Sequence, residues 1–148
     1  MPRYLVVAHQ TVTSQALVEA VRSHARGEPD AEFVLLVPAT HVEHLLTWTE
    51  GESHEIARRD ADAARDLLSA AGVRVTAALV GDPSPLQAID DALRDDPTFD
   101  GLIISTLPAH MSRWLRTDVC KEAERRFGKR VIAVTAEPTP PVRYFAGG

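Results

Sequence analysis

Five short apolar runs alternate with four segments of helical periodicity along this chain of 148 residues. The runs occupy residues 4–8, 32–37, 73–80, 100–104 and 130–135. Their length and their β-branched residues favour strands that are covered on both faces. Every connection between them is long enough for a crossover helix. The pattern therefore predicts an α/β fold, an open five-stranded parallel sheet with helices on both faces.

The helical segments carry apolar stripes at spacings of three and four residues. They predict helices over about residues 14–26, 50–71, 84–94 and 112–127. Gly27, Gly72 and Gly128 follow three of these segments, and each is predicted to end its helix in the left-handed conformation. Arg58 and Arg59 stand among carboxylates and are interpreted as part of a solvated helix face.

Length and composition indicate the number of domains and argue against several classes of protein. The length predicts one domain over residues 1–136, followed by a Pro-rich C-terminal tail over residues 137–148. A net charge of −5 argues against a nucleic-acid partner, and the first apolar run is too short for a signal peptide or a membrane span. The single cysteine, Cys120, excludes an internal disulfide and favours a reducing, cytoplasmic location. We interpret Cys120 as a core residue because it lies beside the inward-facing Val119 of a predicted helix.

Small polar residues follow two of the predicted strands. Gly81 and Asp82 end the third run, and Ser105 and Thr106 end the fourth. The carboxyl ends of parallel strands meet at one edge of a sheet, and ligands of open α/β sheets bind at that edge. The sequence therefore predicts a ligand site there.

The start of the helix after Asp82 is also marked in the sequence. Ser84 is a predicted N-cap, and Pro85 stands at the first helical position, where its missing N–H costs nothing. Gln87 is placed to complete a Ser-x-x-Gln capping box with Ser84.

Several standard sites are missing from the sequence. There is no Gly-x-Gly-x-x-Gly after the first run, no phosphate-binding Gly-x-x-x-x-Gly-Lys-Ser/Thr loop and no Gly-x-Ser-x-Gly nucleophile turn. A phosphate-accepting receiver domain needs acidic residues after the first strand, where this chain has His9 and Gln10. His41 and His44 share a metal-ligand spacing, but no third ligand follows, so we predict no metal site.

The order of the runs and several local segments resemble the universal stress protein family over residues 4–135. Residues 80–89, V-G-D-P-S-P-L-Q-A-I, are similar to that family's G-[DE]-P-x-x-x-I segment. Residues 99–104 and 130–134 are similar to its last two strands. The resemblance implies an adenine-nucleotide alpha-hydrolase-like fold and a small cytoplasmic binding or regulatory protein of the stress response. It also implies a homodimer formed through the last strand, residues 131–134.

The departures from the family pattern concern nucleotide binding. ATP-binding members carry a Gly-x2-Gly-x9-Gly-Ser/Thr motif after the fourth strand. On this chain its positions fall at Ser105, Pro108, Asp118 and Val119, so all three glycines are missing. The family's opening aspartate is replaced by His9. The resemblance therefore implies a degenerate nucleotide site, to which no cofactor is assigned, although ATP or another adenine nucleotide stays a candidate ligand.

The leading expectation is a non-enzymatic protein whose ligand, if any, is small and anionic. Ser112 begins the fourth predicted helix, and free N–H groups there together with Arg113 would favour an anion, although Ser112 also has a simpler function as a cap. We assign no catalytic residue and no metal ligand. The candidate ligand-binding residues are His9, Gln10, Thr11, Pro38, Gly81, Asp82, Ser105, Thr106, Ser112 and Arg113.

Two alternatives stay open. The first is an enzyme on the same scaffold, with His9 as general acid or base and Arg113 holding an anionic substrate. The second is a protein-interaction module without a ligand, whose partner surfaces would be residues 39–49 and the Pro-rich tail.

Overall fold

A computed structural model of the chain describes residues 2–8, 15–39, 50–82, 84–106 and 117–135. Within these ranges, five strands alternate with four helices. They are β1 (Arg3–Val7), α1 (Gln15–Gly27), β2 (Glu32–Pro38), α2 (Glu50–Ala70), β3 (Val75–Gly81), α3 (Pro85–Asp95), β4 (Gly101–Thr106), α4 (Thr117–Phe127) and β5 (Arg130–Thr135). The strands form one sheet in the order β3-β2-β1-β4-β5, and every pair is parallel. The predicted fold class is confirmed.

The core lies in two layers, one on each face of the sheet. Alternate residues of a strand point to opposite faces, so Val6 and Leu5 belong to different layers. Helices α1 and α2 cover the layer of Val6, and α3 and α4 cover the layer of Leu5. The stripe predicted for α2 is buried in the first layer, at Ala57, Ala61, Ala64 and Leu68. Cys120 is buried in the second layer, as predicted.

Two of the three predicted helix-ending glycines adopt the left-handed conformation, with φ of 88° at Gly72 and 65° at Gly128. The prediction for Gly27 is wrong. Gly27 is the last residue of α1 and has no positive φ, and the N–H of Glu28 still donates to the carbonyl of His24 at 3.1 Å. The helical hydrogen-bond pattern thus continues past Gly27, which removes the need for a left-handed residue there.

The amino edge of the sheet is held by a charged network around Arg3. Its guanidinium pairs with Asp96 and, at 3.2 Å, with Glu32. Its backbone N–H donates to the carboxylate of Asp100 at 2.8 Å. The Asp96 carboxylate also accepts hydrogen bonds from Thr98, and these bonds and Arg3 lower the pKa of Asp96 to about 2. The network joins the starts of β1 and β2 to the turn before β4.

Tyr4 adds a buried polar contact at the same end. Its hydroxyl donates to Oε1 of Glu28 at 2.5 Å, and Nε2 of His24 lies 3.0 Å from the same oxygen. The ring of Tyr4 stacks on Phe33 and meets His24 edge-on. Burial, and then the hydrogen bond to Glu28, raise the pKa of Tyr4 to about 12. The contact fixes the end of α1 against β1.

The two outer strands of the sheet are β3 and β5. Arg58 of α2 is exposed, as predicted for a solvated face, but it also contacts the sheet. Its Nη2 donates to the carbonyl of Ala78 in β3 at 2.7 Å and to Asp62 at 2.9 Å. Among the described residues, no strand lies beyond β3 or β5.

Candidate functional site

The order of the strands reverses between β1 and β4, in the middle of the sheet. After β1 the chain forms α1 on one face, and after β4 it forms α4 on the other. In open α/β sheets, ligands bind outside the carboxyl ends of the strands at such a reversal of strand order. The described residues at this point are Ala8, Ser105 and Thr106. The structure thus brings the end of β4 next to the end of β1, as a site at this edge requires.

Asp82 lies immediately after β3 at the same edge, and it determines how α3 begins. Its Oδ1 accepts a hydrogen bond from the backbone N–H of Ser84 at 2.9 Å. Ser84 is the N-cap residue in extended backbone conformation, but its hydroxyl makes no capping bond. Gln87 donates instead to Asp91, one turn further along the helix, at 2.9 Å. The predicted capping box is therefore wrong, because Asp82 already holds the N–H of Ser84, the group that Gln87 would have to reach.

Gly81 allows a close approach between helix and strand. A Cβ at Gly81 would lie 2.8 Å from the Cβ of Ala88 in α3 and 3.1 Å from Cδ1 of Leu36. The space that a side chain would fill is thus taken by protein atoms. The sequence predicts Gly81 as a ligand-binding residue, and the contacts show a second requirement at this position, which is packing.

Pro38 ends β2 and is buried. The backbone beside it is also hydrogen-bonded, since the N–H of Ala39 donates to the carbonyl of Gly81 at 2.9 Å. In the same way, the N–H of Ala8 donates to the carbonyl of Leu36 at 3.1 Å. The sheet ladder therefore extends to its last described residues, and these two N–H groups already have partners.

The side chain of Ser105 is polar and buried, with 1% of the residue's surface exposed. Ser105 pairs in register with Val134 of β5, and Thr106 pairs with Thr135. These pairings place the last two residues of β4 beside the last two of β5. The structure thus brings five candidate residues to one edge of the sheet: Pro38, Gly81, Asp82, Ser105 and Thr106.

The other five candidates, His9, Gln10, Thr11, Ser112 and Arg113, lie outside the described residues. The segment 39–49, apart from Ala39, and the Pro-rich tail also lie outside them. Over the described ranges, no group of three or more His, Cys, Asp or Glu residues is arranged to hold a metal ion. Burial, and then the charge of Glu124, raise the pKa of the Cys120 thiol, which is the opposite of what a nucleophilic thiolate needs.

The contacts between α2 and the outer strand β3 were not predicted from the sequence. Arg65 follows Arg58 by seven residues, and its Nη2 lies 3.5 Å from the carbonyl of Val75 in β3. The spacing of two helical turns was the available signal, because it puts both arginines on the same side of α2.

No protein-family model matches the sequence, and no curated protein matches it either. Solved structures do match. A universal stress protein from Archaeoglobus fulgidus superposes with a TM-score of 0.59 at 14% sequence identity, over 90% of this chain and 93% of that chain. This chain has the universal stress protein fold. The fold that the sequence resemblance implied is confirmed.

Two further solved structures with this fold contain adenine nucleotides. A universal stress protein in complex with cAMP matches with a TM-score of 0.59 at 17% identity, over 92% of this chain and 98% of that chain. A universal stress protein family member from Arabidopsis thaliana with AMP bound matches with a TM-score of 0.52 at 12% identity, over 93% of both chains.

The described residues do not form a glycine-lined cradle for phosphates. Ser105 stands at the position of the first motif glycine, and its side chain is packed inside the protein. The N–H groups of Ala8 and Ala39 are held by the sheet. A cradle of this kind needs free backbone N–H groups that approach the phosphates without an intervening Cβ. The described part of the edge therefore does not fit a nucleotide bound in that way.

None of the described helices is both long and apolar enough to cross a membrane.

Proposed function

We propose that this chain is a universal-stress-protein-like cytoplasmic protein that binds or regulates and does not catalyse. Its site lies at the carboxyl edge of the sheet, where β1 and β4 end side by side. The observation that supports this proposal is the reversal of strand order between these two strands, the point at which open α/β sheets bind ligands. Solved structures with this fold include cAMP and AMP complexes.

The proposed ligand is small and anionic, and an adenine nucleotide is the first class to test. Because the glycines of the phosphate motif are missing, we expect the nucleotide site to be degenerate. Its affinity should be weak, with a Kd near ~1 mM, which corresponds to about 4 kcal/mol of binding free energy. Binding should depend little on the number of phosphates, since the cradle for the outer phosphates is lost.

The proposed assembly is a homodimer through β5. One outer strand of the sheet, β3, has carbonyls held by arginines of α2, which favours the opposite outer strand for pairing. Val131, Ile132 and Val134 of β5 are partly exposed, so pairing of two β5 strands would bury apolar surface.

Ligand-observed NMR tests the binding proposal, with saturation transfer to the protons of AMP and ATP·Mg²⁺ and with ³¹P line broadening for inorganic phosphate. We expect saturable signals for AMP and ATP with similar Kd values in the millimolar range. Micromolar affinity for ATP alone would refute the degenerate site, and silence of all three ligands would favour the interaction module. Release of phosphate from ATP, followed by ³¹P NMR, would refute the non-enzymatic assignment.

A matched pair of variants tests the location. Asp82→Asn removes one negative charge from the proposed edge and keeps the oxygen that accepts the N–H of Ser84. A unit charge at ~10 Å from a bound anion in water contributes about 0.4 kcal/mol, so affinity should rise about twofold. Asp30→Asn makes the same charge change before β2, at the amino edge, and should leave affinity unchanged. Equal effects of the two variants would contradict the proposed location.

A further inference from the structure

Among the described residues, no strand pairs with the outer edge of β3, and this edge offers hydrogen-bonding groups to a further strand. The carbonyl of Gly81 accepts from Ala39, so it points toward β2. Carbonyl directions alternate along a strand, and the carbonyl of Ala78, three residues earlier, therefore points away from β2. The alternation is interrupted at Thr76, where the register between β2 and β3 shifts. Before this shift, the carbonyl of Arg74 accepts from β2, so the next carbonyl, that of Val75, also points outward.

These two outward carbonyls are the ones that α2 contacts. Nη2 of Arg58 lies 2.7 Å from the Ala78 oxygen, and Nη2 of Arg65 lies 3.5 Å from the Val75 oxygen. Asp62 stands between the arginines on the helix and accepts from Arg58 at 2.9 Å, which orients that guanidinium. A second strand that pairs with β3 would have to displace the guanidinium groups from these oxygens.

The strand itself carries the properties of a pairing template. Its sequence, V-T-A-A-L-V-G, contains no charged residue, no proline and three β-branched residues. Leu79 is an exposed large apolar side chain, with 38% of its surface accessible. Natural sheets protect edges of this kind with charges or with covering elements, since an open edge pairs with another copy.

We propose that Arg58 and Arg65 seal the β3 edge against strand addition by β3 of a second copy of this chain. A second copy is the fitting occupant because it presents the same uncharged strand with the same outward groups. Two copies would meet through identical surfaces about a twofold axis. The seal restricts association through the sheet to the opposite edge.

Sedimentation velocity of Arg58→Ala/Arg65→Ala tests this proposal from roughly 10 µM to 1 mM, the range in which exposed strand edges associate. We expect a weight-average mass that rises with concentration toward about twice that of the wild type, as pairing of two copies requires. The control is Arg22→Ala/Arg59→Ala, which also removes two exposed positive charges but no described contact to β3. It should sediment like the wild type. Because both variants become more negative than the wild-type net charge of −5, loss of charge repulsion cannot explain the rise.

Two additional variants separate edge pairing from misfolding. Leu79→Lys in the Arg58→Ala/Arg65→Ala background places a charge on the open strand and should restore the wild-type mass. Arg58→Lys/Arg65→Lys keeps a charged donor of similar reach and should keep most of the seal.

Hydrogen exchange shows which amides become protected. The N–H groups of Ala78 and Val80 point outward, so they should exchange more slowly in the associated variant than in the wild type. An unchanged mass of the double alanine variant would refute the seal. Association that persists with Leu79→Lys, or that leaves these two amides unprotected, would place the contact elsewhere and would also refute it.

Discussion

Replacing Gly81 by alanine should destabilise the protein, because the new methyl group has no room. Its Cβ would lie 2.8 Å from the Cβ of Ala88 and 3.1 Å from Cδ1 of Leu36. The leucine methyl can rotate, but Ala88 can move only with the backbone of α3. Overpacking of this kind costs about 1–3 kcal/mol, and the reduced entropy of the unfolded chain returns about 0.4–1 kcal/mol. We expect a net loss of about 1–2 kcal/mol in the free energy of unfolding.

Urea unfolding followed by circular dichroism measures this loss, with Gly27→Ala as the control. A Cβ at Gly27 would have no atom within 4 Å, and the residue has no positive φ, so alanine there should stabilise by about 0.4–1 kcal/mol. The two glycine-to-alanine changes are chemically identical, and only the packing differs. Equal free energies of unfolding for the two variants would show that packing around Gly81 does not determine the cost of a side chain there.

A double-mutant cycle identifies the contact responsible. Ala88→Gly alone should cost about 2 kcal/mol, from helix propensity and one lost buried methyl group. In Gly81→Ala/Ala88→Gly the clash with the Ala88 methyl group is absent, so the double variant should be more stable than the sum of the single effects by about 1–2 kcal/mol. Additive effects would mean that the close approach of α3 does not set the cost.

Three other substitutions test the described contacts. Gly72→Ala should lose about 1–2 kcal/mol in urea unfolding, since φ is 88° there although the surrounding space is open. Tyr4→Phe should lower the free energy of unfolding by about 1 kcal/mol near neutral pH, because the hydrogen bond to Glu28 is removed. The wild type should lose its extra stability over Tyr4→Phe as pH rises from 10 toward the folded pKa of about 12, because the unfolded tyrosine ionises first. A difference in free energy of unfolding that stays constant to pH 12 would contradict this. Asp96→Asn should reduce the fall in the free energy of unfolding between pH 3.8, the ordinary pKa, and pH 2, near the folded pKa, because in this range the carboxylate is charged only in the folded protein. After screening by solvent the effect is at most about 1 kcal/mol. An unchanged acid profile would contradict it.

The order of strands and helices could be predicted from the sequence because each buried strand is a continuous apolar run and each helix has a regular apolar stripe. The predicted bounds of β5 agree with the structure, and those of the other strands differ by one or two residues. β3 begins at Val75 and not at residue 73, because the N–H of Val73 donates to Leu68 at 3.0 Å and so closes the end of α2. Such a choice between a turn and a strand depends on long-range packing, which periodicity does not contain.

The placement of the candidate residues at one edge was predictable, and their contacts were not. Parallel strands bring their carboxyl ends together wherever they start, so Asp82 and Ser105 could be placed at one edge from sequence alone. The sequence pattern of a capping box was present at Ser84, but a neighbouring carboxylate bound the N–H first. The packing requirement at Gly81 depends on the distance between α3 and β3, which no local pattern encodes.

The central claim is a small-ligand site at the carboxyl ends of β1 and β4. Backbone amide chemical shifts of ¹⁵N-labelled protein during a titration with AMP to ~10 mM, ten times the expected Kd, test it most directly. We expect saturable shifts that include Ala8, Ser105 and Thr106, with none at Arg3 or Asp100 at the amino edge. Shifts gathered at the amino edge, or none at any amide, would contradict it.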